Sequence, residues 1–327
     1  MIPGAPEQAR WMRSEPRRSL PAPVLDRIVH VAFPGCRVLS SEPLGDGKRN
    51  ANFKLQLDPA PGPVVLRIYE HDASLCQKEV DLMRLVGGSV PVPEVIYAEL
   101  QGWEDLPPFT FTRWIEGITF KELKRSGDAD AIAEAAQAAG ETLAAIGRFT
   151  FTKPGWITPG PTIGAPLLEG ADPMPRFIDL CLASQNLQRR VLADLRDRTH
   201  AQVWSCAPQL AALDTETSLV HGDFNKRNLL VRRVGGRWRV AAVLDWEFAV
   251  SSSPLADLGS FLRYERAARP VAEPHFSAGY VRGGGRLPHD WRRLARLADL
   301  VALCESLTHD ELPNDVVAEL VELVRAA

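Results

Sequence analysis

Cysteine, tyrosine and methionine are scarce in this 327-residue chain, at five, four and four residues. The cysteines, Cys36, Cys76, Cys181, Cys206 and Cys304, stand apart without paired spacing. That scatter excludes a zinc-ligand pattern and a disulfide framework, and points to reduced thiols of the cytoplasm. No run comes near the roughly 20 apolar residues of a membrane-spanning helix. Positive charge is not in excess either: 38 Lys and Arg against 41 Asp and Glu leave a formal net charge of −3. Such a balance argues against a nucleic-acid footprint. Arg10, Arg13, Arg17 and Arg18 lead into no apolar stretch ending in small residues, so the start is not a secretory signal. Residues 1–23 hold five prolines and no apolar period, and read as a loose arm. What is present is ordinary for a globular protein, with 45% hydrophobic and 24% charged residues.

The pattern changes character along the chain. A helix is expected from Pro23 to Phe33, with Val24, Leu25, Ile28, Val29 and Ala32 on one face. Strand-like segments follow at Cys36–Ser41, Ala51–Leu57 and Val64–Tyr69. Asp72 caps a helix that ends near Gly87-Gly88, and Val95–Glu99 and Phe109–Trp114 complete the strands. Beyond Gly117 the signals are helical: Ala129–Phe149, Arg176–Arg198, Leu294–Leu307 and Val316–Val324. One β-rich interruption is expected there, Leu229–Arg233 and Arg237–Leu244, joined at Gly235-Gly236 as a hairpin. The reading is α+β: a β-rich N-lobe over 24–116, a hinge near Arg113–Gly117, and a helical C-lobe over 117–327.

The chemistry concentrates in Leu219-Val220-His221-Gly222-Asp223-Phe224-Asn225-Lys226-Arg227-Asn228-Leu229. Asp223 and Asn228 stand five residues apart on a loop between apolar segments, and a further acid, Asp245, ends the apolar run Val240–Leu244. Phosphoryl transfer uses such a set. One carboxylate takes or orients the attacking hydroxyl, while an amide oxygen and a second carboxylate hold Mg²⁺ on the phosphates. Turn formation and strand capping would explain each residue alone, but the spaced acid, the hairpin and the flanking apolar runs agree with one another.

His221-Gly222-Asp223 with Asn228, then Asp245-Trp246-Glu247 and Asp257-Leu258, resembles the aminoglycoside phosphotransferase and choline kinase family. The resemblance spans roughly Leu39 to Leu262 and implies a protein-kinase-like fold, with a five-stranded antiparallel N-lobe sheet, one packed helix and a mainly helical C-lobe. It implies Asp223 as the catalytic residue and Asn228 and Asp245 as magnesium ligands. His221 and Asp257 would support the catalytic loop. Arg67 stands where kinases carry a phosphate-contacting lysine, with Glu79 as its partner. Gly47 and Asn50 match the family's Gly-x-x-Asn arrangement over the phosphates. Phe111–Ile115 would form the hinge, where the backbone at Arg113 and Ile115 meets the purine of ATP (or GTP). Asn225 departs from protein kinases, which place Lys there, and Ser251-Ser252-Ser253-Pro254 departs from the usual Gly-Asp-Pro.

Asp257 follows Asp245 by only twelve positions, too few for a long activation segment, so the expected partner is a small molecule carrying a hydroxyl. An aminoglycoside or related antibiotic would call for acids such as Glu247, Glu265, Glu305, Asp310 and Glu311. A choline-type site would call for an aromatic cage, for which Trp204, Trp246, Tyr264 and Trp291 are available. A metabolic kinase for choline, ethanolamine, a sugar or a similar alcohol is therefore the alternative. A nucleotide-binding protein without catalysis is the alternative of another class. The expected setting is cytoplasmic, with neither membrane nor nucleic acid as partner and the oligomeric state left open.

Overall fold

The computed structural model describes residues 20–44, 50–59, 62–103, 105–265 and 269–327. Residues 1–19 of the expected arm lie outside them, and the helix begins earlier than expected, inside that arm. It is α1 (Ala22–Ala32), started by prolines whose missing N–H costs nothing in a first turn. Next come β1 (Arg37–Pro43), β2 (Ala51–Asp58), β3 (Val64–Ile68), α2 (Ser74–Val86), β4 (Val95–Glu99) and β5 (Phe109–Arg113). The five strands form one antiparallel sheet in the order β1-β2-β3-β5-β4. In β2 and β3 buried and half-buried residues alternate, as the period of a strand requires. Phe53, Leu55, Leu66, Phe109 and Phe111 fill the sheet's buried face, and Leu25, Ile28 and Val29 of α1 close it. The sheet therefore carries α1 in its core as well as the helix inserted after β3.

The rest of the chain is mostly helical: β6 (Ile118–Thr119), α3 (Phe120–Ser126), α4 (Ala129–Ile146), β7 (Gly155–Thr158), β8 (Thr162–Ile163), α5 (Pro173–Ala183), α6 (Gln185–Arg190), α7 (Ala193–Ser205) and α8 (Ala207–Leu213). Then follow β9 (Ser218–Val220), β10 (Leu229–Val234), β11 (Arg237–Val243), β12 (Val250–Ser252), α9 (Leu255–Leu262), α10 (His275–Arg282), α11 (Trp291–Ser306) and α12 (Asn314–Ala326). Two features differ from the sequence reading. The single helix expected over Arg176–Arg198 is three, because Ser184 turns extended and caps the next helix through the Leu187 N–H, and Leu192 is extended again. The hairpin is also not the only β structure in this half, since β6 joins it and β7, β8, β9 and β12 form a second small sheet. Strands of two to four residues are too short to show a period.

Two junctions place the site. Thr119 and Glu122 form a capping box that starts α3 immediately after the segment leaving β5. Gly259 lets α9 lie directly on α11, since a Cβ there would sit 2.2 Å from the Ala295 carbonyl oxygen. The C-terminal half of α2 packs through Leu82, Met83 and Val86 into the larger core, which also holds Phe120, Phe224, Trp246 and Phe261. That helix links the sheet to the side of the molecule that carries the Asp223 loop.

Candidate active site

The hairpin explains why two distant residues meet. Its Gly235-Gly236 turn has φ of 57° and 81°, and β10 pairs with β11 so that Leu229 faces Val243. The Leu244 N–H then donates to the Asn228 carbonyl at 2.8 Å, which brings Asn228 and Asp245 together just beyond the paired strands.

The loop before β10 is held from beneath. Asp257, fully buried at the start of α9, accepts the His221 N–H at 2.7 Å and the Gly222 N–H at 3.0 Å. Burial pushes its carboxyl up to about 7, against the pull of backbone donors at His221, Gly222 and Phe224. Gly222 has φ of 80° and presses on the Phe248 carbonyl, where a Cβ would come within 2.2 Å, so glycine is required there. His221 Nε2 lies 3.0 Å from the Leu244 carbonyl and its Nδ1 accepts the Asp223 N–H at 3.2 Å. The imidazole thus carries its proton on Nε2. Burial lowers its pKa to about 4, which keeps it neutral and leaves it a brace rather than a proton carrier.

Asp223 is gripped by two amides. Asn225 Nδ2 donates to Oδ1 at 2.6 Å and Asn228 Nδ2 to Oδ2 at 2.8 Å. Because the Asn228 nitrogen is spent in this way, its oxygen faces away from Asp223. Burial first, and the neighbouring Asp245 second, raise Asp223 to about 6. Asp245 adopts the left-handed conformation at φ 69°, one of two described non-glycine residues at positive φ, and strain of this kind collects at functional sites.

From the sheet, Arg67 on β3 meets this corner. Its Nη2 donates to Glu79 Oε1 and to Asp245 Oδ1, both at 2.9 Å, and lies 3.8 Å from Glu247. The expected Arg67–Glu79 pair is present, in a site that also contains Asp245. Tyr69 donates to the other Glu79 oxygen at 2.7 Å, and burial holds the Glu79 carboxyl up at about 7. Lys78, buried on α2, donates to the Glu247 carbonyl at 2.7 Å. Asn50 is buried at the start of β2 and reaches Glu247 Oε2 at 3.5 Å. Gly47 lies outside the described residues. At the hinge, the Arg113 N–H goes to the Glu94 carbonyl and the Trp114 N–H to the Pro63 carbonyl. The donor of Arg113 is therefore spent in the sheet and its side chain pairs with Glu94. Ile115, the next residue but one, has no backbone partner among the described residues.

Carboxylates Glu79, Asp245 and Glu247 have oxygens within 4.8 Å of one another. They form a hard-oxygen donor set of the kind that suits Mg²⁺. Tyr69 and Lys78 were not singled out from the sequence, whereas Asn225 was noted there only as a departure from the Lys of protein kinases and not as a partner of Asp223.

A family profile, the phosphotransferase enzyme family (APH), matches residues 40–297. The chain belongs to that family. No curated protein matches it in sequence. Among solved structures, the GDP complex of wild-type aminoglycoside 2'-phosphotransferase-IIIa is 22% identical with a TM-score of 0.69, covering 92% of this chain and 96% of that one. Aminoglycoside phosphotransferase APH(4)-Ia is 17% identical with a TM-score of 0.63, over 94% and 99%. A ternary complex of a thermostable mutant of that enzyme with AMP-PNP and hygromycin B is 18% identical with a TM-score of 0.62, over 92% and 98%. These likenesses establish the kinase-like fold of this family member.

The residues named for the acceptor side stand as follows. Glu247 stands in the Arg67 corner and not with the C-lobe acids. Glu265 is held by Lys124 at 3.2 Å and by Lys226 at 3.1 Å. Lys226 Nζ is thereby held between Glu265 and the Phe261 carbonyl. Asp310 accepts from Asn186 and Glu305 has partners of its own, while Glu311 is exposed. The aromatic residues do not gather either. Trp246 is buried with its ring 4.7 Å from His221, and Trp204 donates to Asp179 on α5.

Proposed function

We propose that this phosphotransferase moves the γ-phosphoryl group of ATP, with Mg²⁺, onto a hydroxyl of a small molecule. The observation that carries this is the grip of Asn225 and Asn228 on the Asp223 carboxylate, beside Asp245. The two amides fix the direction of a carboxylate that accepts the hydroxyl proton. Asn228 and Asp245 would hold the cation, which when bound neutralises charge on the phosphates. Arg67 is positioned by Glu79 to contact them. Ile115 offers its backbone to the base, and Asp257 and His221 keep the loop in place.

Two acceptor classes stand. The neighbours crystallised with hygromycin B and with kanamycin make an aminoglycoside or related antibiotic the first to test. The prior engagement of the C-lobe acids favours the second, a metabolic alcohol. The experiment is MgATP-dependent ADP release over aminoglycosides, other hydroxylated antibiotics, choline, ethanolamine and sugars, in wild type and Asp223→Asn. Stimulation by one class in wild type alone supports the kinase. Equal stimulation in Asp223→Asn removes Asp223 from the chemistry. Tight MgATP binding with no stimulation favours a nucleotide-binding protein without catalysis.

A further inference from the structure

A cavity between α9, α11 and α12 is lined by Leu262, Arg263, Glu265, Glu273, Trp291 and Asp299, among others. It lies at the C-terminal end of α9, the helix that carries Asp257, and its lining acid Glu265 is 3.1 Å from Lys226 of the loop that holds Asp223. All three acids in this lining are already satisfied. Asp299 takes both Nε and Nη2 of Arg263, at 2.8 and 2.6 Å. Glu273 receives Arg292 and Ser277 through one oxygen and the Ser277 N–H through the other. Glu265 receives Lys124 and Lys226, and its second oxygen receives the Ala272 N–H. No lining Asp or Glu is left without a partner, and the Ala327 oxygen receives Gln202 and Arg296.

The cations are different. Arg263 is only 19% exposed and is locked along one edge by Asp299, yet Nη1 has no partner among the described residues. A guanidinium held along one edge presents the other as a preformed donor, suited to a carboxylate or phosphate. Arg263 is also near enough to the catalytic loop to affect Asp223. Burial and Asp245 raise that acid, and Arg263 is among the groups that pull it back. Further positive charge flanks this side. Burial, then Arg227 and Arg125, lower the Lys121 pKa, and Arg227 and Arg263 both act on Tyr264. Glu319, hydrogen-bonded by Tyr264, is the acid among these cations, and a polycation approaching Asp223 from here would otherwise meet arginines and find the lining acids occupied.

We infer that the acceptor carries, besides its hydroxyl, an anionic oxygen group, a carboxylate or a phosphate ester, and that Arg263 receives it. The inference rests on the phosphotransferase reading above and makes Arg263 a specificity-determining residue. Sugar acids and sugar phosphates share this chemistry, and neutral sugars and aminoglycosides lack it.

The test is MgATP-dependent ADP release with sugar phosphates, sugar acids, neutral sugars, and the polycations kanamycin and hygromycin B. Wild type, Arg263→Gln and Arg263→Lys are compared, with MgATP binding measured calorimetrically and folding checked by thermal melting. Arg263→Lys keeps the charge opposite Asp299, so it supplies a folded variant if Arg263→Gln does not fold. Turnover is expected with an acid or a phosphate, and which of the two arms responds names the group. The acceptor KM should rise at least tenfold in a folded Arg263 variant while the KM for ATP stays within twofold. Preferred turnover of kanamycin, hygromycin B or a neutral sugar overturns the inference and leaves the kinase standing. An unchanged acceptor KM in Arg263→Lys and Arg263→Gln overturns it too, as does a panel with no turnover although MgATP binds. Failure to bind MgATP overturns the kinase reading itself.

Discussion

Asp257→Ala tests whether the catalytic loop is held from beneath by one buried carboxylate. The substitution removes the acceptor for the His221 and Gly222 N–H groups, at 2.7 and 3.0 Å, and for a further donor at Phe224. A buried donor left unmade costs about 1–3 kcal/mol. Three of them, with some relaxation, place the loss at about 3–6 kcal/mol. That is a large part of the ~5–15 kcal/mol that separates folded from unfolded protein. At about 2–4 °C per kcal/mol, the melting temperature should fall by roughly 6–24 °C. Asp257→Asn keeps one acceptor oxygen and should lose less. Thermal unfolding by circular dichroism gives the first quantity. ADP release below the melting point gives the second, and should show kcat falling with the loop's order. An Asp257→Ala protein that melts like wild type and turns over normally would refute the support role.

Asp223→Asn should lower kcat by about 10²–10⁴, the usual worth of a positioned base, with nucleotide affinity unchanged by calorimetry. Asp245→Ala should abolish the Mg²⁺ dependence of nucleotide binding, and affinity that still responds to Mg²⁺ would contradict its role. The pH profile follows from Asp223, raised to about 6. Protonated below that value, the carboxyl already holds a proton and is far too weak a base to take the hydroxyl's, so kcat/KM should rise with pH through about 6 and then level. An acidic limb near pH 4 would mean that the base titrates like an ordinary exposed Asp.

The sequence was most legible where spacing is local. The N-lobe strands emerged within a few residues because β2 and β3 alternate on a two-residue period and the turns between them hold glycine or proline. The hairpin was legible for the same reason, and with it the meeting of Asn228 and Asp245. What could not be read depends on packing between distant segments. Glu265 appeared available for an acceptor until Lys124, 141 residues away, and Lys226 were found on it. Asp299 and Arg263 meet because Gly259 lets two helices approach closely, which no spacing in the sequence signals. The Leu192 break in the Arg176–Arg198 helix went unread for a related reason, since leucine is a common helix residue and its extended conformation is set by what surrounds it.

At the Arg67 corner a single guanidinium nitrogen, Nη2, contacts two carboxylates at 2.9 Å and faces a third at 3.8 Å, while the buried Nε has no partner among the described residues. Even with Lys78 counted, which reaches Glu247 through its carbonyl, the acids Glu79, Asp245 and Glu247 outnumber the cations. Surplus negative charge is expensive to bury, and part of the cost appears as the raised pKa of Glu79. A divalent cation entering beside Asp245 would remove that surplus, and Arg67 would keep Glu79 as its anchor while turning toward the phosphates. Without metal and nucleotide the corner is thus electrostatically incomplete, so binding of MgATP should stabilise the whole chain against unfolding rather than the sheet alone.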